Sequence, residues 1–234
     1  MFLRKIFSAS PVVARVAPFV IFVLLTAAQG KCGVASAYWF YLTKTLVGLW
    51  LICEVWPLVT EMRWAFSWEA VLVGVGIFAV WVGISGEWAT QNSLWVKLGF
   101  SSAPKTLAAI WNPNEQFGSG SALAWLFITV RILGSTFIVP PLEEVFYRSF
   151  LYRYLASVNF LSVPLNKFLP LPFLATVLVF GFAHNEWLAG ILCGAAYQWL
   201  VLRKHRLGDA MTAHAITNFL LGVWVVWRGA WNFW

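Results

Sequence analysis

Three short motifs in the second half of the chain place ionisable and amide side chains inside otherwise apolar segments. They are Glu143-Glu144-x-x-x-Arg148, Phe180-x-x-x-His184 and His214-x-x-x-Asn218. A carboxylate held away from water can act as a general base, because desolvation and neighbouring groups set its proton affinity. Histidine and amide groups can polarise a reactant and donate hydrogen bonds to a developing negative charge. Together the motifs would supply a base, a polarising group and hydrogen-bond donors to one pocket.

The two glutamates of the first motif are expected to have different partners. Pro140 and Pro141 predict the end of one span, and Pro141 suits the first turn of a new helix over about 142–157. Glu144 and Arg148 are four residues apart on one face of that helix and can form an ion pair. Glu143 points about 100° away and has no partner within the helix. We therefore predict one structural carboxylate and one available carboxylate.

The histidines are few and unusually placed. The chain has three, of which His184 and His214 lie in apolar segments and His205 lies in a basic loop. A single histidine on an apolar helix face is usually a core residue whose hydrogen bonds are satisfied. Two such histidines together with an unpaired Glu143 favour a catalytic interpretation. Asn218 lies four residues after His214 and therefore shares its helical face.

The composition indicates a membrane protein that carries these motifs on helices. Of the 234 residues, 61% are hydrophobic and 11% are charged, whereas charged residues make up about a quarter of an average soluble domain. Crossing a bilayer takes roughly 20 apolar residues. We predict an all-α, polytopic transmembrane bundle of about eight helices that forms a single domain over residues 1–234. The predicted helices are approximately 11–29, 38–59, 69–86, 120–141, 142–157, 168–186, 187–202 and 209–228.

The charge distribution argues against nucleic acid as a partner. The net charge is +7, but the basic residues are scattered, and the densest group, residues 203–206, is interpreted as a cytoplasmic loop. Charged side chains inside spans cost about 2.5 to 3.5 kcal/mol each at the helix centre and usually form pairs. For each of Lys44, Glu54 and Arg131 we expect pairing with another charged side chain of the spans, which would hold helices together.

The three motifs, in this order and helical setting, resemble the CAAX protease and bacteriocin-processing (CPBP) superfamily of intramembrane peptidases. Further segments resemble the CAAX prenyl protease-related subgroup that accompanies bacterial exosortase systems. These segments are Ala14-Arg-Val-Ala-Pro-Phe, Arg131-Ile-Leu-Gly, Val139-Pro-Pro-Leu-Glu-Glu, Ala213-His-Ala-Ile-Thr-Asn and Trp231-Asn-Phe-Trp. The resemblance extends over nearly the whole chain.

The resemblance implies a role for each residue of the motifs. Glu143 with His184 would activate a water molecule that attacks a peptide carbonyl. His214 and Asn218 would then donate hydrogen bonds to the oxyanion that develops.

Support and metal content also follow from the resemblance. Glu144 and Arg148 would hold the geometry of the site. Members of the superfamily have been described both as metal-free glutamic peptidases and as zinc enzymes, and here the metal-free form is favoured, with no cofactor. Zinc is the alternative, with Glu143, His184 and His214 as its three ligands if they converge.

The same resemblance suggests partners and a location. We expect an intramembrane endopeptidase in the bacterial inner membrane, with multiple spans, surrounded by membrane lipid. Its substrate would be a membrane-associated or exported protein, with a companion protein of an exosortase system as the first candidate. The alternative function is a non-proteolytic membrane assembly or immunity-type module that retains the fold.

A second protease motif is also present. Gly83-Ile84-Ser85-Gly86 matches the G-x-S-G pattern of rhomboid-type serine peptidases. Small residues commonly end helices, however, and Ser85 lies at the predicted end of its span. We therefore interpret Ser85 as a helix terminus rather than a nucleophile.

Overall fold

The computed structural model describes residues 2–100 and 110–234. All regular structure in those residues is helical, and they contain no β-strand, which confirms the all-α prediction. The described part of the chain has ten helices and three short 3₁₀ turns. The helices are α1 Phe2–Ala9, α2 Pro11–Ala27, α3 Ser36–Val55, α4 Trp68–Ile84, α5 Gln91–Lys97, α6 Pro113–Phe117, α7 Ala122–Tyr154, α8 Pro170–Phe182, α9 Trp187–Lys204 and α10 Gly208–Arg228.

Two of the described helices are long and apolar enough to cross a membrane. These are α7, with 33 residues, and α10, with 21 residues. Shorter apolar helices are α2, α4 and α8. Each predicted span overlaps one of the observed helices, and the short helices α1, α5 and α6 account for the additional elements.

The predicted break between helices 120–141 and 142–157 is wrong, because α7 continues through Pro140 and Pro141. Two π-helical segments, Gly134–Ile138 and Val145–Leu151, lie on either side of the prolines. In the first, the Val139 N–H donates to the carbonyl of Gly134, five residues earlier. A π turn widens a helix locally, which makes room for proline rings that would otherwise clash with the preceding turn. The prolines therefore interrupt the α-helical hydrogen bonding of α7 without ending the helix.

The chain divides into two compact units. Unit 1 lies within Met1–Met62, Ala109–Phe146 and Asn218–Trp234, and unit 2 lies within Arg63–Ala108 and Tyr147–Thr217. Helices α7 and α10 each contribute residues to both units. The single domain over residues 1–234 stays a prediction.

In unit 1 two cations inside predicted spans, the buried Lys44 and the half-buried Arg131, lie over aromatic rings. The Lys44 Nζ is 4.4 Å from the centre of the Tyr41 ring, and the Arg131 Cζ is 4.9 Å from the same ring centre. Glu54 forms an ion pair with Arg4 at 3.6 Å. Lys44 also lies close enough to Glu143 for electrostatic attraction. The expected pairing with charged side chains is therefore seen for Glu54 and Lys44, and for Arg131 it stays a prediction. Ring faces attract cations where water is scarce, so these contacts stabilise both cations.

In unit 2 glycines allow α8 and α9 to approach closely. A Cβ on Gly190 would lie 2.9 Å from the Gly181 carbonyl oxygen, and a Cβ on Gly194 would lie 3.2 Å from the Phe180 ring. The turn at residues 183–186 joins the two helices, which run antiparallel. Close helix contact through small residues is typical of membrane helices. This packing fixes the position of the turn that carries His184.

Candidate active site

The predicted site residues occur in both units. Those in unit 1 are Glu143, Glu144 and Asn218, and those in unit 2 are Arg148, His184 and His214.

Glu143 presents a carboxylate oxygen that the described residues leave unbonded. Its Oε2 is buried, and it receives no hydrogen bond from the described part of the chain. Lys44 of α3 lies close enough for electrostatic attraction to Glu143. Because a buried carboxylate oxygen without a donor is costly, such an oxygen commonly marks a position that a water molecule or ligand occupies. Glu143 is in this respect the available carboxylate that the sequence predicts.

The two predicted supporting residues are fully buried. Glu144 and Arg148 have no measurable exposure. The Arg148 Nη2 donates to the Gly194 carbonyl at 3.3 Å, and its Cζ lies 4.3 Å from the centre of the Phe180 ring. Arg148 is therefore fixed by α8 and α9. Its ion pair with Glu144 stays a prediction.

His184 lies in the turn directly after α8 and is half-buried. Its Nδ1 is 2.7 Å from the Phe180 carbonyl oxygen. A carbonyl oxygen can only accept, so Nδ1 must carry the hydrogen of this bond. In the neutral ring, Nε2 then has the free lone pair, which is the arrangement that a general base needs. The rings of Trp81 and His184 pack in a T-shaped arrangement at a centroid distance of 5.5 Å.

His214 lies in α10 and is 4% exposed. Its ring stacks on Tyr197 with centroids 5.1 Å apart, and the Phe180 ring centre lies 6.3 Å away. The Phe180 ring also contacts His184, at a centroid distance of 4.7 Å. Phe180 therefore brings three predicted site residues together. We call Phe180, Arg148, His184 and His214 the Phe180 cluster.

A buried chain of hydroxyl groups supports the ring behind His214. The Tyr197 hydroxyl donates to Thr217 Oγ1 at 2.7 Å, and the Thr217 hydroxyl in turn lies 2.9 Å from the carbonyl oxygen of Gly74. These bonds connect α9 and α10 to α4. Sequence reasoning did not identify this chain, although polar residues in apolar helices are a signal that could have indicated it.

Asn218 holds the first π segment of α7. Its Nδ2 donates to the Ser135 carbonyl at 2.8 Å, and Ser135 lies within Gly134–Ile138. A π segment shifts the backbone hydrogen bonds, so a carbonyl there can accept from a side chain. The amide of Asn218 has a second N–H beyond the one used for Ser135.

Gln91 is a further residue that the sequence prediction missed. Its Nε2 donates to the carbonyl of Phe182 and, at 2.8 Å, to the carbonyl of His184. Its backbone N–H donates to the Asn185 carbonyl at 2.8 Å. A residue 93 positions earlier in the chain therefore hydrogen-bonds the turn that carries His184.

No group of three or more His, Cys, Asp or Glu side chains among residues 2–100 and 110–234 is arranged to hold a metal ion. The metal-free form, and zinc bound by Glu143, His184 and His214 as its alternative, both stay predictions.

Ser85 lies at the end of α4, as expected for a helix terminus. Helix α4 ends at Ile84, and the Ser85 hydroxyl donates to the carbonyl of Trp81. This bond within the last helical turn gives Ser85 a structural role.

Comparison with known proteins gives one family match. The family model described as Type II CAAX prenyl endopeptidase Rce1-like matches residues 124–220. The matched segment covers less than half of the chain but includes all six predicted site residues. No curated protein and no solved structure matches the chain. The family match supports the resemblance to the CPBP superfamily and a CAAX-protease-like peptidase.

Proposed function

We propose that the protein is an intramembrane endopeptidase that hydrolyses a peptide bond with water activated by Glu143 and His184. The observation that carries the proposal is the arrangement of His184. Its Nδ1–H is bound to the Phe180 carbonyl, so that Nε2 has the free lone pair. The buried, unbonded Oε2 of Glu143 supplies the second proton acceptor.

In the proposed reaction, the water oxygen forms a bond to the carbonyl carbon of the substrate. The water proton passes to Glu143, and the carbonyl electrons move onto oxygen to give an oxyanion. His214 and the second N–H of Asn218 donate hydrogen bonds to this oxyanion. When the tetrahedral intermediate collapses, the C–N bond breaks, and the proton is returned to the leaving amine through Glu143 or His184.

Glu144 and Arg148 are proposed as positioning residues. Both are fully buried, and Arg148 is fixed against Gly194 and Phe180. Fixed charges in a site that excludes water stabilise developing charge without having to reorganise during the reaction.

For the substrate, we propose a membrane-associated or exported protein, with a companion protein of an exosortase system as the first candidate. We also propose a location in the bacterial inner membrane, with several spans. The two long apolar helices and the resemblance support this location. A substrate bond within or near the bilayer would suit an active centre held on such helices.

The decisive experiment is cleavage by the purified protein in liposomes, with candidate exported proteins as substrates and H₂¹⁸O as solvent. The wild-type protein should release two fragments, with one ¹⁸O in the new carboxylate. Glu143→Gln and His184→Ala should abolish release. The control is Glu115→Gln, which changes an exposed glutamate in α6 and should cleave like the wild type.

Two other outcomes would redirect the proposal. Cleavage that a zinc chelator abolishes and added zinc restores would show a metallopeptidase. If the wild-type protein cleaves no candidate, and Glu143→Gln leaves the cellular phenotype unchanged, catalysis is refuted and the assembly-module alternative gains support.

A further inference from the structure

We infer that Gln91 is a positioning residue for His184. This inference rests on the proposed function and adds a residue to it. Gln91 lies outside the family match at residues 124–220 and outside the three motifs. Its hydrogen bonds nevertheless end on the turn that carries one of the two proposed proton acceptors.

The turn after α8 needs hydrogen-bond donors from elsewhere in the chain. The last carbonyls of a helix have no partner within the helix. Here the carbonyls of Phe182, His184 and Asn185 all accept hydrogen bonds from Gln91. One residue thus satisfies three carbonyls within four consecutive positions.

Both donor groups of Gln91 are suited to this task. Gln91 is the first residue of α5, where a backbone N–H has no intrahelical acceptor, so it can donate to Asn185. The side-chain amide carries two N–H groups, and its nitrogen bonds two carbonyls. The cap of the helix is a different residue, since the Thr90 side chain accepts from the Ser93 N–H. The amide of Gln91 is therefore not needed to start α5.

The backbone at residue 184 decides where the imidazole lies. The ring is held at Nδ1 by the Phe180 carbonyl and at its side by Trp81. Gln91 adds hydrogen bonds to the backbone carbonyls of the turn itself. If the turn relaxes, Nε2 moves with it, and a shift of about 1 Å in a catalytic group can cost about 100-fold in rate.

Two substitutions remove the side-chain donors while preserving shape. Gln91→Met is neutral and similar in length, and Gln91→Glu places a carboxylate against two carbonyl oxygens. Asn92→Asp is the matched control, because it makes the same amide-to-acid change one residue later, and no hydrogen bond joins the Asn92 side chain to the described residues.

The experiment measures cleavage kinetics and hydrogen exchange of all four proteins in liposomes. We expect kcat to fall about 10- to 100-fold in Gln91→Met and further in Gln91→Glu, with KM within about twofold of the wild type. Amides of residues 183–186 should exchange about 10-fold faster in both variants. Asn92→Asp should match the wild type in kcat, KM and exchange.

Several results would overturn the inference. Unchanged exchange in the turn would show that Gln91 does not hold it, whether or not the protein cleaves anything. Faster exchange with unchanged kcat in a cleaving protein would leave the proposed function intact and remove Gln91 from it. Loss of folding in Gln91→Met, or equal losses in Asn92→Asp, would assign the residue to general stability. A wild-type protein that cleaves nothing refutes the proposed function instead, and the exchange result alone then decides whether Gln91 holds the turn.

Discussion

Glu143 in unit 1 and His184 in unit 2 differ in the hydrogen bonds that the surrounding chain makes to their side chains. The Oε2 of Glu143 is buried and receives no hydrogen bond from the described residues. His184 is bonded at Nδ1, and its backbone carbonyl accepts from Gln91. The carboxylate therefore retains an acceptor, whereas the imidazole has one nitrogen committed and one free.

This difference matches the two tasks in the proposed reaction. A carboxylate that receives the water proton needs a free oxygen, whereas an imidazole needs a fixed tautomer and a fixed ring position. Glu143 also lies between the two π segments of α7, Gly134–Ile138 and Val145–Leu151. π segments inside α-helices frequently occur at functional sites.

The largest effect is expected when the carboxylate of Glu143, the free proton acceptor, is removed. Glu143→Gln keeps the shape of the side chain but loses its charge, so we expect cleavage to fall by at least about 1000-fold. Thermal unfolding in detergent should show that the variant is folded. Cleavage at more than about one tenth of the wild-type rate would exclude Glu143 as the base.

A second test compares the three histidines. His184→Ala removes a proposed proton acceptor and should cost about 1000-fold in kcat, whereas His214→Ala removes an oxyanion donor and should cost about 100-fold. His205→Asn is the control. His205 is exposed and adopts a left-handed backbone conformation, with φ of 59°, that Asn tolerates. Equal losses at His184 and His214 would contradict their different roles.

Replacing Asn218 should have a smaller effect, on both kcat and the free energy of unfolding. Asn218→Ala should lower kcat about 10- to 100-fold through loss of an oxyanion donor. It should also lower the free energy of unfolding by about 1 to 2 kcal/mol, because the Ser135 carbonyl loses its side-chain donor. Denaturant titration in mixed micelles measures the second component. A variant that loses stability but no activity would restrict Asn218 to the support of α7.

The smallest expected effect concerns the hydroxyl chain behind His214. Thr217→Val keeps the size of the side chain but removes its bonds to Tyr197 and Gly74. We expect the free energy of unfolding to fall by about 1 to 3 kcal/mol, and kcat to fall by a few-fold as the Tyr197 ring loosens against His214. Thr212→Val is a useful comparison, because its hydroxyl bonds the Ala65 carbonyl instead. A loss of kcat in Thr212→Val as large as that in Thr217→Val would argue against a specific role for the chain.

The sequence predicted the helices well where the apolar runs were long. The runs that became α2, α4, α8 and α10 needed only their composition and length to be recognised. It failed at Pro140 and Pro141, because the helix-breaking effect of proline is a local tendency that a π turn can absorb. It also missed the ring contacts of Lys44 and Arg131, because an aromatic face carries no formal charge to mark it as a partner.

The sequence by itself determined the helical class and the side chains that can do chemistry, since hydropathy and residue type are properties of the chain alone. Only the tertiary structure decided that Phe180 contacts His214, and that Gln91 hydrogen-bonds the turn at His184. These two contacts join residues more than 30 positions apart in the chain. Helical periodicity relates neighbours within a few residues, so it carries no information about such contacts.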